Sequence, residues 1–562
     1  MSSEISDQER VSRKKFLQTI AAAGAVGAAG LALSSSVISP VQAALADVDT
    51  ASYIIDNESG TINAYNGSTG KVPPGFSGTD AATVVQKAIN ALPTSGGLIF
   101  VRAGTYPFGS AVTIPSAVAL QGEGVDRTII TSSNGFFGNT SASQVSNIAI
   151  RDMTLQMIGN NLASKYFFIV SYSANSLRFE RLKMLGGAVN GTGVFAFYGV
   201  GGPIGSYSDI QFIDVWADSQ GTTSGNEFFS LANYSLSNIK FERCYVKNTS
   251  GPTIGLFNVP STVNTKIGNS TLDSGVAYMN CGTTNLPITN RLEFNKCHFT
   301  NGARIATNSG NFQWEEFYLS DCTADGPLGV FGGTAYLVYL SDCWGYGTNP
   351  SVPGLLDNKG NVIIRGGGLV DGWNTAGVPW YSGGSALSLP TGNSMVVDID
   401  GFYVGKPASP AGPPGGFLFN YSPTPDASLK ITNSILDSSL LNVLNGQPGG
   451  PATYGGLSSF VNLINTGLMP PNVILSELTD LSGNRYFRAK GIASVPVTAS
   501  PFTYPNSDNV PEAIYIVGGT VSQVAKDSTN LFTTSNVTVW LEPGESVTVT
   551  YSNPPSMFKD RK

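Results

Sequence analysis

The chain has 562 residues, with 31 basic against 38 acidic ones, a net charge of −7 and only 12% charged side chains. No dense Lys/Arg run follows the first 15 residues, which argues against a nucleic-acid partner, because phosphate binding needs clustered cations. A hydrophobic share of 41% beside 66 glycines excludes a disordered polyelectrolyte and describes a turn-rich chain with much to bury.

Residues 1–46 read as an export signal. Arg13, Lys14 and Lys15 precede Phe16-Leu17 and a small-residue apolar run from Ile20 to Leu33. At about 14 residues that run is short for a bilayer span. Val41-Gln42-Ala43 and Ala44-Leu45-Ala46 offer small-residue cleavage sites. The stretch Ser12–Leu17 resembles the twin-arginine signal of proteins exported already folded, with Lys14 in place of the second arginine. An ordinary secretory route, or retention as an N-terminal anchor, therefore stays open. No later segment looks transmembrane, so the expected location is secreted or cell-surface, with no stable membrane insertion once the signal is cleaved. Residues 47–75 read as a linker or N-terminal extension.

The next segment, GTDAATVVQKAINALPTSGG, reads as a helix capped by Thr79 or Asp80, with an apolar stripe of Ala81, Val85, Ala88, Ile89 and Leu92. Pro93 stops it, and Gly96-Gly97 turns the chain into the strand Leu98–Val101.

Beyond it a pattern recurs: two apolar residues flanking one outward position, then two polar or small residues, then a buried one. It reads Ile148-x-Ile150 to Met153, Leu177-x-Phe179 to Leu182, Ile210-x-Phe212 to Val215 and Ile239-x-Phe241 to Cys244. It continues as Leu292-x-Phe294 to Cys297, Phe317-x-Leu319 to Cys322 and Val338-x-Leu340 to Cys343. Weaker copies start at Ile99, Val118, Thr265, Val362, Val397 and Leu429. Period-two alternation makes each copy a strand with one buried face. Repeats of roughly 20 to 35 residues built from strands and turns indicate a solenoid, whereas propeller blades run to about 40 or more. The expectation is an all-β chain whose main domain, 76–445, is a parallel β-helix, each coil about 4.8 Å above the last. Cys244, Cys297, Cys322 and Cys343 then share an inward column and behave as small buried hydrophobes, a disulfide between adjacent rungs being the alternative.

The helix and its sequel, GTDAATVVQKAINALPTSGGLIFVRAGTYPF and then VTIPSAVALQGEG, resemble the N-terminal signature of the pectate-lyase-like superfamily. That resemblance implies a right-handed, single-stranded parallel β-helix with a helix over its first coil. It covers roughly residues 76–130 and is specific for fold rather than activity, because the superfamily includes lyases, polygalacturonases, epimerases, tailspikes and non-catalytic members. Tailspike relatives trimerise, but the motifs here do not carry a homotrimer over to this chain. The polygalacturonase set is missing: the chain has no Asp-Asp, no Gly-His-Gly and a single histidine, His298, which alternates with Cys297 and Phe299 and so faces outward.

After 445 the repeat fades through a Gly/Pro-rich connecting region, 446–490. Residues 491–562 show short alternating strands and read as a small β-sandwich, either a cap or a binding module.

Stacking the copies predicts which outward side chains converge. One column is Lys240, Lys266, Glu293, Tyr318, Tyr339, Ile363, Asp398 and Lys430. Beside it run Arg151, Glu180, Glu242, Asn295, Ser320, Ser341, Arg365 and Asp400, and at the adjoining turn stand Asp214, Arg243, Lys296, Asp321 and Asp342. Asp321 and Asp342 should lie one rung apart. Two carboxylates at roughly 5 Å repel unless a cation or shared proton relieves them, so they are a candidate calcium site or acid/nucleophile pair, against splayed turn residues. Asp398 and Asp400, with Arg365 a rung below, form a second candidate acidic pair. Arg365 or Lys296 would counter substrate charge. Tyr318 and Tyr339, with Trp314 and Trp344 in flanking loops and Glu293 nearby, are candidate sugar contacts, against ordinary packing under loops. The functional expectation is an exported carbohydrate-active protein, a polysaccharide lyase or glycoside hydrolase holding an extended and acidic or neutral polysaccharide. The alternative is a non-catalytic, adhesive or tailspike-like β-helix that binds glycans.

Overall fold

The computed structural model describes residues 51–561 apart from 140–143, 159–164, 171–172, 187–193, 200–205, 221–227, 233–234, 250–252, 258–260, 274–275, 282–288, 301–303, 309–314, 326–328, 332–334, 347–355, 358–360, 371–384, 389–395, 406–416, 421–427, 437–441, 446–452, 455–472, 477, 481–484, 487–490 and 508–510. The expected export signal lies outside the described residues, as does most of the Gly/Pro-rich segment after 445.

The strand Ala174–Leu185 shows how one coil is built. Leu177 and Phe179 point inward, Arg181 takes the left-handed conformation at φ 47°, and Leu182 and Met184 point inward again. A single left-handed residue turns the chain through a corner and lets period-two alternation resume on a second face. The coils before and after, Val145–Met157 and Ser206–Asp218, pair with it in parallel and turn at Asp152 (φ 61°) and Asp214 (φ 54°). The corner column continues through Arg243, Asn269, Lys296, Asp321, Asp342, Gly366, Gly401 and Asn433, all with positive φ. Asn, Asp and Gly tolerate that conformation and β-branched residues do not, which is why the repeat keeps a polar or small residue there.

Strands before the corner make the first face of the 30-stranded sheet and strands after it make the second. A separate 14-stranded sheet, from Val112–Thr113 to Thr453–Tyr454 and parallel except at its last pairing, makes the third. The result is a parallel β-helix, as the repeat predicts.

Its core is stacked rung by rung. Phe179, Phe212 and Phe241 lie face to face at 4.9 and 4.7 Å. Leu319 and Ser320 pair with Leu340 and Ser341, so the two LSDC segments sit directly over one another. Cys244, Cys297, Cys322 and Cys343 are free and buried, which decides against a disulfide between rungs. Trp344 N–H donates to the Cys322 carbonyl and Thr323 N–H to that of Cys297, both stepping one rung. The ladder has one polar interruption. His298 N–H donates to the Ser270 carbonyl and Thr271 N–H to that of Cys244, so buried Ser270 lies between Cys244 and Cys297, and its hydroxyl accepts the Cys244 N–H at 3.0 Å. The Ser270 hydroxyl also donates to the Gly268 carbonyl at 2.7 Å, satisfying the buried oxygen.

Helix α1 (Ala81–Asn90) covers the first coil. Asp80, not Thr79, is its cap and accepts from Thr83 N–H at 3.1 Å. Ala81, Ala82, Val84, Val85, Ala88 and Ile89 are buried, and Leu92 packs partly buried against the core. The stack begins earlier and ends later than 76–445. Tyr53–Ile55 pairs in parallel with Ile99–Val101, inside the span read as a linker. At the other end, Val473–Ser476 pairs with Leu429–Thr432 inside the span read as connecting. That strand has only four residues, too few to show a period.

The C-terminal segment is a sandwich of two four-stranded antiparallel sheets. Ile514, Ile516, Val524, Val539, Leu541, Val547 and Val549 fill the space between them.

Candidate functional site: a groove on the first face

Registers on the first face place the outward side chains in columns. Lys240, Lys266, Glu293, Tyr318, Tyr339, Ile363, Asp398 and Lys430 occupy successive rungs. Beside them run Glu242, Gly268, Asn295, Ser320, Ser341, Arg365, Asp400 and Thr432. The second column is tall at Glu242 and Arg365 and short between them. Missing side-chain volume at Gly268 and small groups at Asn295 and Ser320 leave a groove of about 470 Å³. Its rims are Lys240, Glu242, Lys266, Arg291, Glu293, Tyr318 and Tyr339.

Charges in the groove are already paired. Glu293 is held by Lys266 at 2.9 Å and Arg291 at 3.2 Å. Glu242 faces Lys240 at 3.4 Å and accepts from the Asn269 amide at 2.6 Å. The Arg291 guanidinium also lies 4.1 Å over the Tyr318 ring, within cation–π range. Tyr318 and Tyr339 are half-buried neighbours, 5.8 Å apart and tilted by 34°. Burial and the adjacent Glu316 carboxylate, which accepts the Tyr318 hydroxyl proton at 3.2 Å, push the Tyr318 phenol up, so it stays a neutral donor. On the floor, the Asn295 amide donates to the Ser320 hydroxyl at 2.7 Å.

Of the candidate site residues read from the sequence, the groove brings together Glu293, Tyr318 and Tyr339. Arg365 and Asp398 lie on the same face beyond it and form an ion pair of 2.7 Å, with Lys430 3.8 Å from the other Asp398 oxygen. Asp400 is occupied by the Thr432 hydroxyl at 2.6 Å and the Asn433 amide at 2.7 Å, and these donors hold its carboxyl below the usual range. Lys296, Asp321 and Asp342 are exposed corner residues. Asp321 and Asp342 are on adjacent corners, as expected, but among the described residues no group of three or more His, Cys, Asp or Glu is placed to hold a metal. Two exposed carboxylates fall far short of the six to eight oxygens calcium takes, so the donor set does not fit that ion. None of the four aspartates lines the groove. Trp344 is not in a loop beside the tyrosines: it starts the strand Trp344–Gly345 across the corner, on the second face. Trp314 lies outside the described residues. His298 does face outward, its ring nitrogens 2.9 Å from the Thr323 hydroxyl and 3.2 Å from Asp325.

Arg291 and Gly268 escaped the sequence reading. Arg291 lies two residues before Glu293, and alternation puts both on one face. Gly268 gives no signal of its own, because a missing side chain enters no column.

No family model matches the chain, and no curated protein sequence matches it. Among solved structures, it is similar to the A-module of a mannuronan C-5 epimerase of Azotobacter vinelandii, at 14% identity and TM-score 0.41, covering 65% of this chain and 92% of that one. It is also similar to a tailspike protein of E. coli bacteriophage HK620 solved with a pentasaccharide, at 13% identity and TM-score 0.38, covering 88% and 92%. A surface adhesin of Streptococcus pneumoniae matches at 10% identity and TM-score 0.29, covering 65% and 87%.

Proposed function

We propose that this protein binds an extended, carboxylate-bearing polysaccharide along the first face, with the groove from Lys240 to Tyr339 as the principal contact. The observation that carries the reading is the composition of that groove: Lys240, Lys266 and Arg291 above a hydrogen-bonding floor of Asn269, Asn295 and Ser320, with Tyr318 and Tyr339 at one end. Cations meet uronate carboxylates, floor amides and hydroxyls meet sugar hydroxyls, and the tyrosine rings cover C–H faces. Of the candidate site residues read from the sequence, Glu293, Tyr318 and Tyr339 contact the ligand. Arg365 and Asp398 extend the polar track beyond it.

Binding without cleavage is the reading the groove favours. Its two carboxylates, Glu242 and Glu293, are each engaged in an ion pair with a groove cation, which occupies the oxygens that acid–base chemistry on a sugar would use. The aspartates weighed as catalytic pairs lie outside the groove and take no catalytic role in this reading. Residues 1–46 are proposed to export the chain, so that it meets polysaccharide outside the cell.

The test is retention of the full chain on a polyuronate, compared with a neutral glucan, at rising salt. Retention should be specific for the polyuronate, weaken with salt, and fall about tenfold on Arg291→Ala. Reducing ends and unsaturated products should not accumulate. Equal retention on both polymers would sink the anionic reading, and steady product formation would replace binding with turnover.

A further inference from the structure

We propose that the second face carries a separate saccharide track, suited to a neutral or amino-sugar chain rather than a uronate. Crossing the corner changes the outward chemistry. Successive rungs present Trp216, Tyr245, Thr271, His298, Thr323 and Trp344, and two rungs further Tyr403. The column beside them brings Asp218, Lys247, Asp273 and Thr300 into register. Asp325 and Tyr346 continue the same strands one residue past their paired positions.

Rings cluster at the two ends of this track. Trp216, 49% exposed, lies 4.3 Å from Tyr245 with a tilt of 31°. Trp344 lies 6.3 Å from Tyr403, near the exposed Tyr346. Tyr245 and Trp344 are four rungs apart, roughly 19 Å. The interval is polar and internally bonded. The Tyr245 hydroxyl donates to Asp273 at 2.8 Å, the Thr300 hydroxyl donates to the other Asp273 oxygen, and His298 bridges Thr323 and Asp325. Burial and the Asp273 bond raise the Tyr245 phenol to about 12, so it remains a donor.

This alternation selects the occupant. A polypeptide strand needs an unpaired sheet edge, and the face of a sheet offers none. A helix or apolar protein surface needs a continuous apolar patch, and here hydroxyls, an imidazole and carboxylates separate the ring pairs. A saccharide chain presents both C–H faces and hydroxyl donors along its length, which is the pattern of this face. Asp218, Asp273 and Asp325 against Lys247 leave the track acidic, which disfavours uronates and suits neutral or cationic sugars. The network fixes its acceptors before a ligand arrives, which lowers the entropy lost on binding. The track stands on the second face alone, independently of the groove.

The experiment uses the full chain with three soluble polymers: a neutral glucan, a partly deacetylated amino-sugar polymer and a polyuronate. Affinity electrophoresis should show retention by at least one of the first two. Trp216→Ala and Trp344→Ala should each weaken that retention about fivefold, Trp216→Phe should restore most of it, and polyuronate behaviour should not change. Bound polymer should also protect Trp216 from oxidation by N-bromosuccinimide. Lack of retention by both polymers, or retention indifferent to the two tryptophan variants, overturns the proposal. Weakened polyuronate retention in the same variants also overturns it, because the two faces would then not be separate sites. Loss of the far-ultraviolet strand signal in a variant moves the decision to the oxidation-protection assay on the unmodified chain, where no protection overturns the proposal.

Discussion

The first and second faces are built from the same coils, divided by one left-handed residue per coil, yet they present different chemistry. On the first face, long charged side chains pair along and across rungs, as Lys266 does with Glu293 and Arg365 with Asp398. On the second, rings and short hydrogen-bonding groups alternate, as in Tyr245 with Asp273 and His298 with Thr323. Both rest on the same interior of Phe, Leu, Ile and Cys ladders. Strand pairing fixes where each outward residue stands, and any residue that leaves the inward alternation intact can stand there. A β-helix can therefore vary its outer surfaces face by face without renegotiating its core.

The largest expected effect comes from breaking what the faces share. Phe212 stacks between Phe179 and Phe241 and meets Phe229 edge-on at 4.9 Å. Phe212→Ala should destabilise the stack by about 3–5 kcal/mol, the usual range for a buried aromatic truncation. Hydrogen exchange should locate the loss in the neighbouring coils, because each coil of a solenoid contacts only its neighbours. Loss confined to one face would contradict the shared interior.

A second substitution separates the faces. Gly268 is where the first-face column loses its side chain, and a Cβ there meets the Glu242 carboxylate oxygen at 2.9 Å, the far end of a flexible side chain. Gly268→Leu should therefore fold and fill the groove. Polyuronate retention should drop about tenfold or more, with retention by neutral or amino-sugar polymers unchanged. Unchanged polyuronate retention would move the first-face site out of the groove.

The same glycine shows what the sequence made legible. Period-two alternation around Leu292, Phe294, Phe317 and Leu319 revealed strands, stacking and the inward cysteines, because each buried position leaves an apolar letter. It also placed Glu293, Tyr318 and Tyr339 in one column. Grooves leave no such letter: Gly268 reads as weak strand, and only its register beside Glu242 and Asn295 makes it a floor. The corner aspartates are ambiguous in the sequence for a related reason. Asp321 and Asp342 recur because the corner demands left-handed backbone, a conformational requirement that looks in the sequence like a catalytic pair. Trp344 reads as a loop residue because a two-residue strand shows no period.

The smallest expected effect concerns the corner itself. Arg243 grips Asp214 one rung below with two bonds of 2.7 and 2.9 Å, and these hold the Asp214 carboxyl below its usual 3.8. The folded value is the lower one, so the pair stabilises the fold fully above the ordinary carboxylate value. Its contribution fades as pH falls from there through the depressed folded value. Both side chains are substantially exposed, so solvent screening keeps the effect small. Asp214→Asn should lower the thermal midpoint slightly at neutral pH, and less at high salt. The gap to the unmodified chain should close in acid below 3.8. A gap that persisted there would assign the corner's stability to backbone conformation rather than charge. Asn and Gly already occupy corners at Asn269, Gly366 and Gly401, so the left-handed turn itself does not require an ion pair. The charge at Asp214 and Arg243 then ties one coil to the next, and the acid series separates that tie from the turn it sits on.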